Sequence, residues 1–158
     1  MARKDITFTA QETAAYLEAG RTVIVASFNK DGSTHLAPMW YVVEGGKVAF
    51  RSFTKSQKII NLLRDPRITV LVETGDAYGE LQGIMIRGTA TLIDDPAFTL
   101  ALYGRLAAKY GMVGDAPVVL DPAALEAAFG RFAPKNTSVI VEPNKITSWD
   151  HSKLGGAY

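Results

Sequence analysis

Residues 22–73 read TVIVASFNKDGSTHLAPMWYVVEGGKVAFRSFTKSQKIINLLRDPRITVLVE, and the fold is decided in this stretch. Thr22 to Phe28 is a run of β-branched and apolar residues too short for a helix of that hydrophobicity, and Asn29-Lys30-Asp31-Gly32 closes it as a turn. The next run, His35 to Val43, leads into Glu44-Gly45-Gly46-Lys47, where two glycines tolerate the positive φ of a tight hairpin. Val48 to Phe53 is then its antiparallel partner. Pro38 fits an edge strand or a bulge, because it has no N–H to give to a central ladder. After Phe53 the period becomes helical. Ser56 stands at a cap position, Ile59, Leu62 and Leu63 recur at helical spacing, and Asp65-Pro66 stops the helix, since proline disfavours helical geometry in the residue before it. Ile68 to Glu73 returns to strand.

Upstream, Thr9-Ala10-Gln11-Glu12 matches a capping box and starts a helix to about Ala19 that ends at Gly20. Downstream, Gly75 to Gly79 is a loop and Leu81 to Ile93 a long strand. In it Ile84, Ile86, Gly88, Ala90 and Leu92 alternate with Met85, Arg87, Thr89 and Thr91, so its two faces meet unlike surroundings. Asp95-Pro96 and Asp121-Pro122 start helices to about Tyr110 and about Phe132, and Ser138 to Val141 and Lys145 to Trp149 read as two closing strands. Helix, three strands, short helix, two strands, two helices and two strands, joined by tight turns, predict a mainly β fold with accessory helices. Its strands form a closed or nearly closed antiparallel barrel, which leaves few edges exposed. No repeat or linker interrupts it, so residues 1–158 read as one domain.

A hydrophobic content of 47% supplies an ordinary core for such a domain. Seventeen Lys and Arg balance sixteen Asp and Glu, so nothing draws the chain as a whole to nucleic acid or an anionic membrane, and any basic site is local. The lack of cysteine removes disulfides, thiolate metal sites, iron–sulfur ligation and thiol nucleophiles together. MARKDITFTAQETAAYLEAG has no apolar leader core, and no stretch approaches the roughly 20 apolar residues of a membrane span, so a cytoplasmic protein is expected. His35 and His151 stand far apart with no His/Glu motif, no G-x-S-x-G elbow occurs, and the glycines of Gly75 to Gly83 lack dinucleotide spacing. Metal, covalent-hydrolase and Rossmann chemistry are therefore not expected.

What remains is Arg51-Ser52-Phe53-Thr54-Lys55-Ser56-Gln57-Lys58, a strand end running into a helix start with three cations and three hydroxyls. Free amides, the positive end of a helix, Lys55 and Lys58 one turn apart, and the hydroxyls of Ser52, Thr54 and Ser56 make an anion cradle suited to phosphate. The same residues also fit an ordinary capped, solvated helix start. Met39, Trp40 and Tyr41 offer a thioether and two aromatics, a wall for a planar heterocycle or plain core filling. Gln82 and Gly83 begin the long strand, where an amide side chain and bare backbone suit the polar edge of a ring.

From Arg21 to Ile93, and again from Ser138 to Trp149, the pattern resembles the pyridoxamine-phosphate-oxidase-like, FMN-binding split-barrel superfamily. Its most specific element is Lys58-x-x-Asn61-Leu62-x-x-Asp65-Pro66-Arg67. The resemblance implies a split barrel and a homodimer with two cofactor sites, each built from both chains. It implies that Lys58 binds the cofactor phosphate, with Ser56 and Lys55 in the preceding loop and Arg51 and Ser52 beside the phosphate chain or ring. Met39, Trp40 and Tyr41 match the ring-side strand, Gln82 a ring-edge position, and Trp149 and His151 a tail that reaches the partner's site. Within the superfamily the chain looks more like the branch that uses the deazaflavin coenzyme F420 than like true oxidases, whose arginine-rich tail is missing from Ser148 to Leu154. FMN is the alternative cofactor. The implied activity is hydride transfer to a small unsaturated or quinone-like acceptor; the rivals are an FMN enzyme and a flavin- or tetrapyrrole-binding module without turnover. Arg51, Lys55 and Arg64 are the cations expected to favour the longer anionic tail of the deazaflavin.

Overall fold

Thr9 starts the first helix as a capping box. Its Oγ1 accepts the Glu12 amide at 3.1 Å, while the Glu12 carboxylate accepts the Thr9 amide at 2.7 Å. The computed structural model describes residues 5–156, so the first four residues of the stretch read for a leader lie outside it. The elements are α1 (Ala10–Ala19), β1 (Val23–Phe28), β2 (Thr34–Met39), β3 (Val42–Glu44), β4 (Lys47–Phe53), α2 (Gln57–Arg64), β5 (Arg67–Thr74), β6 (Gln82–Ile93), α3 (Pro96–Lys109), α4 (Pro122–Phe129) and β7 (Asn136–Asp150). The strands form one sheet in the order β2-β1-β5-β6-β7-β4-β3, every pairing antiparallel, curled into the half-barrel of a split-barrel fold.

Two strand readings need correction. His35 to Val43 is not one strand: Thr34–Met39 pairs with β1, Val42–Glu44 pairs with β4, and these are opposite edges of the sheet. The chain leaves the ladder at Trp40-Tyr41 because Tyr41 is drawn into the interior. Its ring is fully buried, its hydroxyl donates to the Leu17 carbonyl at 2.6 Å, and its amide donates to the Tyr110 hydroxyl at 3.2 Å. The two closing strands, conversely, are one. Glu142-Pro143-Asn144 does not break β7, since the ladder passes from Gly88↔Pro143 to Arg87↔Lys145 and leaves Asn144 as the extra residue of a bulge. Gly88 makes room for it, because a Cβ there would stand 2.1 Å from the Glu142 carbonyl oxygen.

The helices are more than decoration. α2 packs against β1, β2, β4 and β6, across the split, and buries Ile59 and Leu62 with Val25, Phe50, Val70 and Ile84 in the main core. α3 builds a second cluster from Leu102, Leu106 and Tyr110 against Val42 and Ala49. Asn61, fully buried on α2, explains the asparagine of the motif. Its Nδ2 donates to Ser27 Oγ (3.2 Å) and Asn29 Oδ1 (2.9 Å), and its Oδ1 accepts from Gln57 (2.8 Å) and Arg64 (3.1 Å). Asp65 and Arg67 clamp the following turn. Hydrogen bonds from the Arg67 side chain and backbone hold the Asp65 pKa down at about 2.

Truncation of Asn61 leaves buried partners unpaired. Asn61→Ala is expected to lower unfolding stability by about 2–3 kcal/mol in urea melts. Leu63→Ala, at a side chain 69% exposed on the same helix, should stay within about 0.5 kcal/mol of the parent.

Candidate functional site

Strand alternation divides the cluster that the sequence presents as one. On β4, Phe50 and Ser52 turn inward and are buried, while Arg51 turns outward. The inner half is a small basic cradle. Lys58 Nζ donates to Ser52 Oγ at 3.1 Å, and the Ser52 and Ser56 hydroxyl oxygens lie 3.0 Å apart. No carboxylate reaches ion-pair distance of Lys58 among the described residues. Burial pushes the Lys58 amine below its ordinary pKa. Ser56 occupies the N-cap of α2, but its hydroxyl is turned to Ser52 and makes no cap hydrogen bond, contrary to the reading of Ser56 as an ordinary cap. The first amides of α2 thus have no Ser56 side chain to close them, which suits an anion at that end. Thr54 is tied to the Thr137 hydroxyl at 2.9 Å, and Lys55 is exposed.

The outer half belongs to a different surface. Arg51 lines a hollow of about 360 Å3 with Met39, Trp40, Thr22, Pro38 and Leu106. Its Nη1 donates to Asn136 Oδ1 at 3.2 Å and its guanidinium lies 4.4 Å from the Tyr103 ring centre, yet its Nε is buried with no hydrogen-bond partner. Trp40 is 47% exposed and stacks on Tyr110, with ring centres 4.6 Å apart and planes 8° from parallel. The Tyr110 hydroxyl faces the carbonyls of Tyr41 (2.9 Å) and Arg21 (2.8 Å), so the aromatic platform is fixed at its base. Arg51 and Ser52 are consecutive, so the aromatic-walled hollow and the basic cradle adjoin through one strand.

Sequence reasoning missed Tyr103 and Tyr110, which hold Arg51 and Trp40 from α3. They share an apolar helix face with Leu106, and such a stripe reads as core. Two predicted residues are not brought to the cradle. Tyr41 is core filling, because the bend that takes the chain across the split turns its ring inward. Gln82 begins β6 opposite Asp150, whereas the cradle adjoins the Asn136 end of β7. The 15 residues of β7 amount to about 50 Å of strand at about 3.3 Å each. At that far end Trp149 covers Gly83, where a Cβ would stand 2.1 Å from the ring. Burial raises the Asp150 pKa there, but hydrogen bonds from Ser152 and Gln82 outweigh it and leave the carboxyl below its ordinary value.

The half-barrel thus carries a cationic cradle and an aromatic-walled hollow on successive residues of β4. Residues 9–150 match the profile of the pyridoxamine 5'-phosphate oxidase family, and the chain belongs to that family. Among solved structures, the conserved hypothetical protein Rv2991 from Mycobacterium tuberculosis shares 31% identity with a TM-score of 0.83, over 100% of this chain and 94% of that one. An F420 reductase shares 24% identity with a TM-score of 0.63, over 84% of this chain and 94% of that one. The FAD binding protein from Mycobacterium smegmatis shares 19% identity with a TM-score of 0.59, over 89% of this chain and 95% of that one. The last two share the fold. No curated protein matches the chain. No helix among the described residues is long and apolar enough to cross a membrane.

A partly buried cation without a counter-ion destabilises the protein that carries it. With its folded pKa below the ordinary 10.5, Lys58 binds fewer protons folded than unfolded between those values, so its destabilising contribution fades as pH rises through that window. In the absence of phosphate ligands, Lys58→Met is expected to melt at a higher temperature than the parent at pH 7. That gap should narrow as the pH approaches 10.5, as followed by circular dichroism melts.

Proposed function

We propose that the protein is an oxidoreductase that holds a flavin-type cofactor, the deazaflavin coenzyme F420 in preference to FMN, and transfers hydride to a small unsaturated or quinone-like acceptor. The observation that carries this reading is the adjacency on β4 of an unneutralised cation at Lys58 and a hollow walled by Met39 and Trp40. A phosphate at Ser52, Ser56 and Lys58 supplies the missing negative charge, and the α2 amides and hydroxyls donate to its oxygens. The orphaned Nε of Arg51 offers a buried donor where the chain turns from cradle to hollow. When bound, the reduced cofactor supplies the hydride, which is consistent with a chain that has no cysteine nucleophile and no recognisable catalytic triad. The chain's own residues orient: Trp40, braced by Tyr110, presents a flat apolar wall, and Lys58 fixes the anionic end. Of the three cations expected to favour the deazaflavin's anionic tail, Lys55 is exposed and available. Arg64 is taken up instead by the Phe28 carbonyl at 2.6 Å and Asn61, and Arg51 by Asn136 and Tyr103.

Fluorescence titration with FMN and with the deazaflavin tests the reading. The deazaflavin should bind more tightly, and Lys58→Ala should weaken either cofactor by about 2–4 kcal/mol. Oxidation of the reduced deazaflavin should then depend on an added quinone or enone. Tighter FMN binding with no acceptor-dependent oxidation would return the protein to the FMN branch, and equal affinity in the Lys58 variant would remove the cradle.

The same reading makes the working unit a homodimer. The outward face of β2, β1, β5 and β6 carries Leu36 (64% exposed), Ile24, Leu71 and Met85, while Leu17 of α1 and Ile59 and Leu62 of α2 pack with the inward residues Val70 and Val72 of β5. A second copy on this face buries that apolar row and carries its own Gln82 and Trp149, held away from Lys58 within one chain, toward the first copy's hollow. Light scattering should give twice the chain's 17.1 kDa at micromolar concentration, and Leu36→Glu should shift the mass toward one chain. A monomeric parent would contradict this arrangement.

A further inference from the structure

Three cations gather around the Trp40–Tyr110 platform. Arg51 lines the hollow that Trp40 walls, the Arg21 guanidinium carbon lies 4.5 Å from the Tyr110 ring centre, and Lys109 Nζ lies 5.4 Å from the same centre. None of the three has an ion-pair partner among the described residues, and no carboxylate lines the hollow.

Lys109 is the cation that solvent screens least. Its Nζ is buried and makes no hydrogen bond among the described residues, and it lies 4.2 Å from the centre of the Tyr41 ring. Aromatic faces attract a cation but carry no net charge, so its field is not cancelled. Burial holds the Lys109 amine below its ordinary pKa, with Glu18 opposing the shift and Arg21 adding to it. Glu18 is exposed and outside ion-pair distance, and Glu44 is taken by Arg105, which lines one hollow with Glu18 and Lys109. The carbonyl end of α3, where Arg21 Nη1 donates to the Lys109 carbonyl at 3.0 Å, offsets only about half a charge. Arg21 itself is exposed and screened by water.

Trp40 and Tyr110 stack with ring centres 4.6 Å apart, which puts Lys109 Nζ within about 10 Å of the Trp40 ring centre. At an effective dielectric of about 20, one charge acting on another across about 10 Å changes an equilibrium constant by about an order of magnitude.

We propose that Lys109 sets the redox balance of a ring held against Trp40, by favouring its reduced and more negative form. This rests on the reading that the hollow takes the ring of a flavin-type cofactor. A ring that has taken up hydride, two electrons with one proton, carries one negative charge more than before, and the Lys109 cation stabilises that form over the oxidised one. Reduced cofactor therefore binds more tightly than oxidised, and by linkage the potential of the bound couple lies above that of the free one. Such a site captures the hydride donor and releases the spent ring.

Anaerobic equilibration of bound FMN with reference dyes reads the midpoint potential, with free FMN as the standard. The parent should lie about 30 mV above free FMN, which equals about tenfold tighter binding of the reduced form. Lys109→Met should remove about fivefold of that preference, a fall of about 20 mV. Glu18→Gln, which removes the acid that opposes Lys109, should raise the potential. Shifts of opposite sign separate an effect of charge from loosened packing. A bound potential at or below that of free FMN, an unmoved potential in Lys109→Met, or no rise in Glu18→Gln would overturn the inference while FMN binding stands. A parent that binds neither form of FMN would overturn the reading beneath it as well.

Discussion

The seating of α2 across the split of the barrel is the constraint on which the rest depends. The sheet cannot close on itself, because Trp40-Tyr41 carries the chain from one edge to the other and leaves β2 and β3 unpaired with each other. α2 covers that breach, and a helix that short is not stable alone. Two things hold it: the burial of Ile59 and Leu62, and the junction of Asn61 with Ser27 and Asn29 on the opposite wall. Its first turn is thereby fixed beside Ser52, which brings Lys58 to a hydroxyl pair. A helix with a lysine in its first turn and no side-chain cap is poor design for stability, and the shortfall falls where a phosphate would make it good.

Much of this was legible in the sequence because it rests on local rules. The capping box at Thr9, the strand read from Thr22 to Phe28, which starts one residue later at Val23, the stop at Asp65-Pro66 and the alternation of Ile84 to Leu92 with Met85 to Thr91 all follow from period and cap chemistry. The misreadings share a cause. His35 to Val43 looks continuous because β-branched and aromatic residues run through it, and only the burial of Tyr41 and its bonds to Leu17 and Tyr110, from distant segments, shows why the chain bends there. Glu142-Pro143-Asn144 looks like a break because proline normally ends a ladder, and the glycine that admits the bulge stands on another strand.

The site divides along the same line. Ser52, Ser56 and Lys58 were legible as a group, since strand end and helix start are contiguous. That Arg51 belongs with Met39 and Trp40 instead follows from the two-residue period of β4, a fact available in the sequence but hidden by the density of charge around it. Tyr103 and Tyr110 were not legible, because a tyrosine on an apolar helix face carries no mark of what it will stack against. Gln82 pairs with Asp150 at the end of β7 opposite to the Asn136 end that adjoins the cradle, a separation set by strand pairing and not by local sequence.

Phosphorus NMR of bound FMN tests most directly whether the Lys58 cradle holds a phosphate. A phosphate monoester ionises for the second time near pH 6. Held against Lys58, two hydroxyls and the α2 amides, the bound phosphate should remain a dianion, so that its resonance does not move between about pH 5 and 7.5 while that of free FMN does. In Lys58→Ala, any bound resonance should recover its titration. A bound phosphate that titrates like free FMN in the parent protein, or a titration unchanged by Lys58→Ala, would contradict the account.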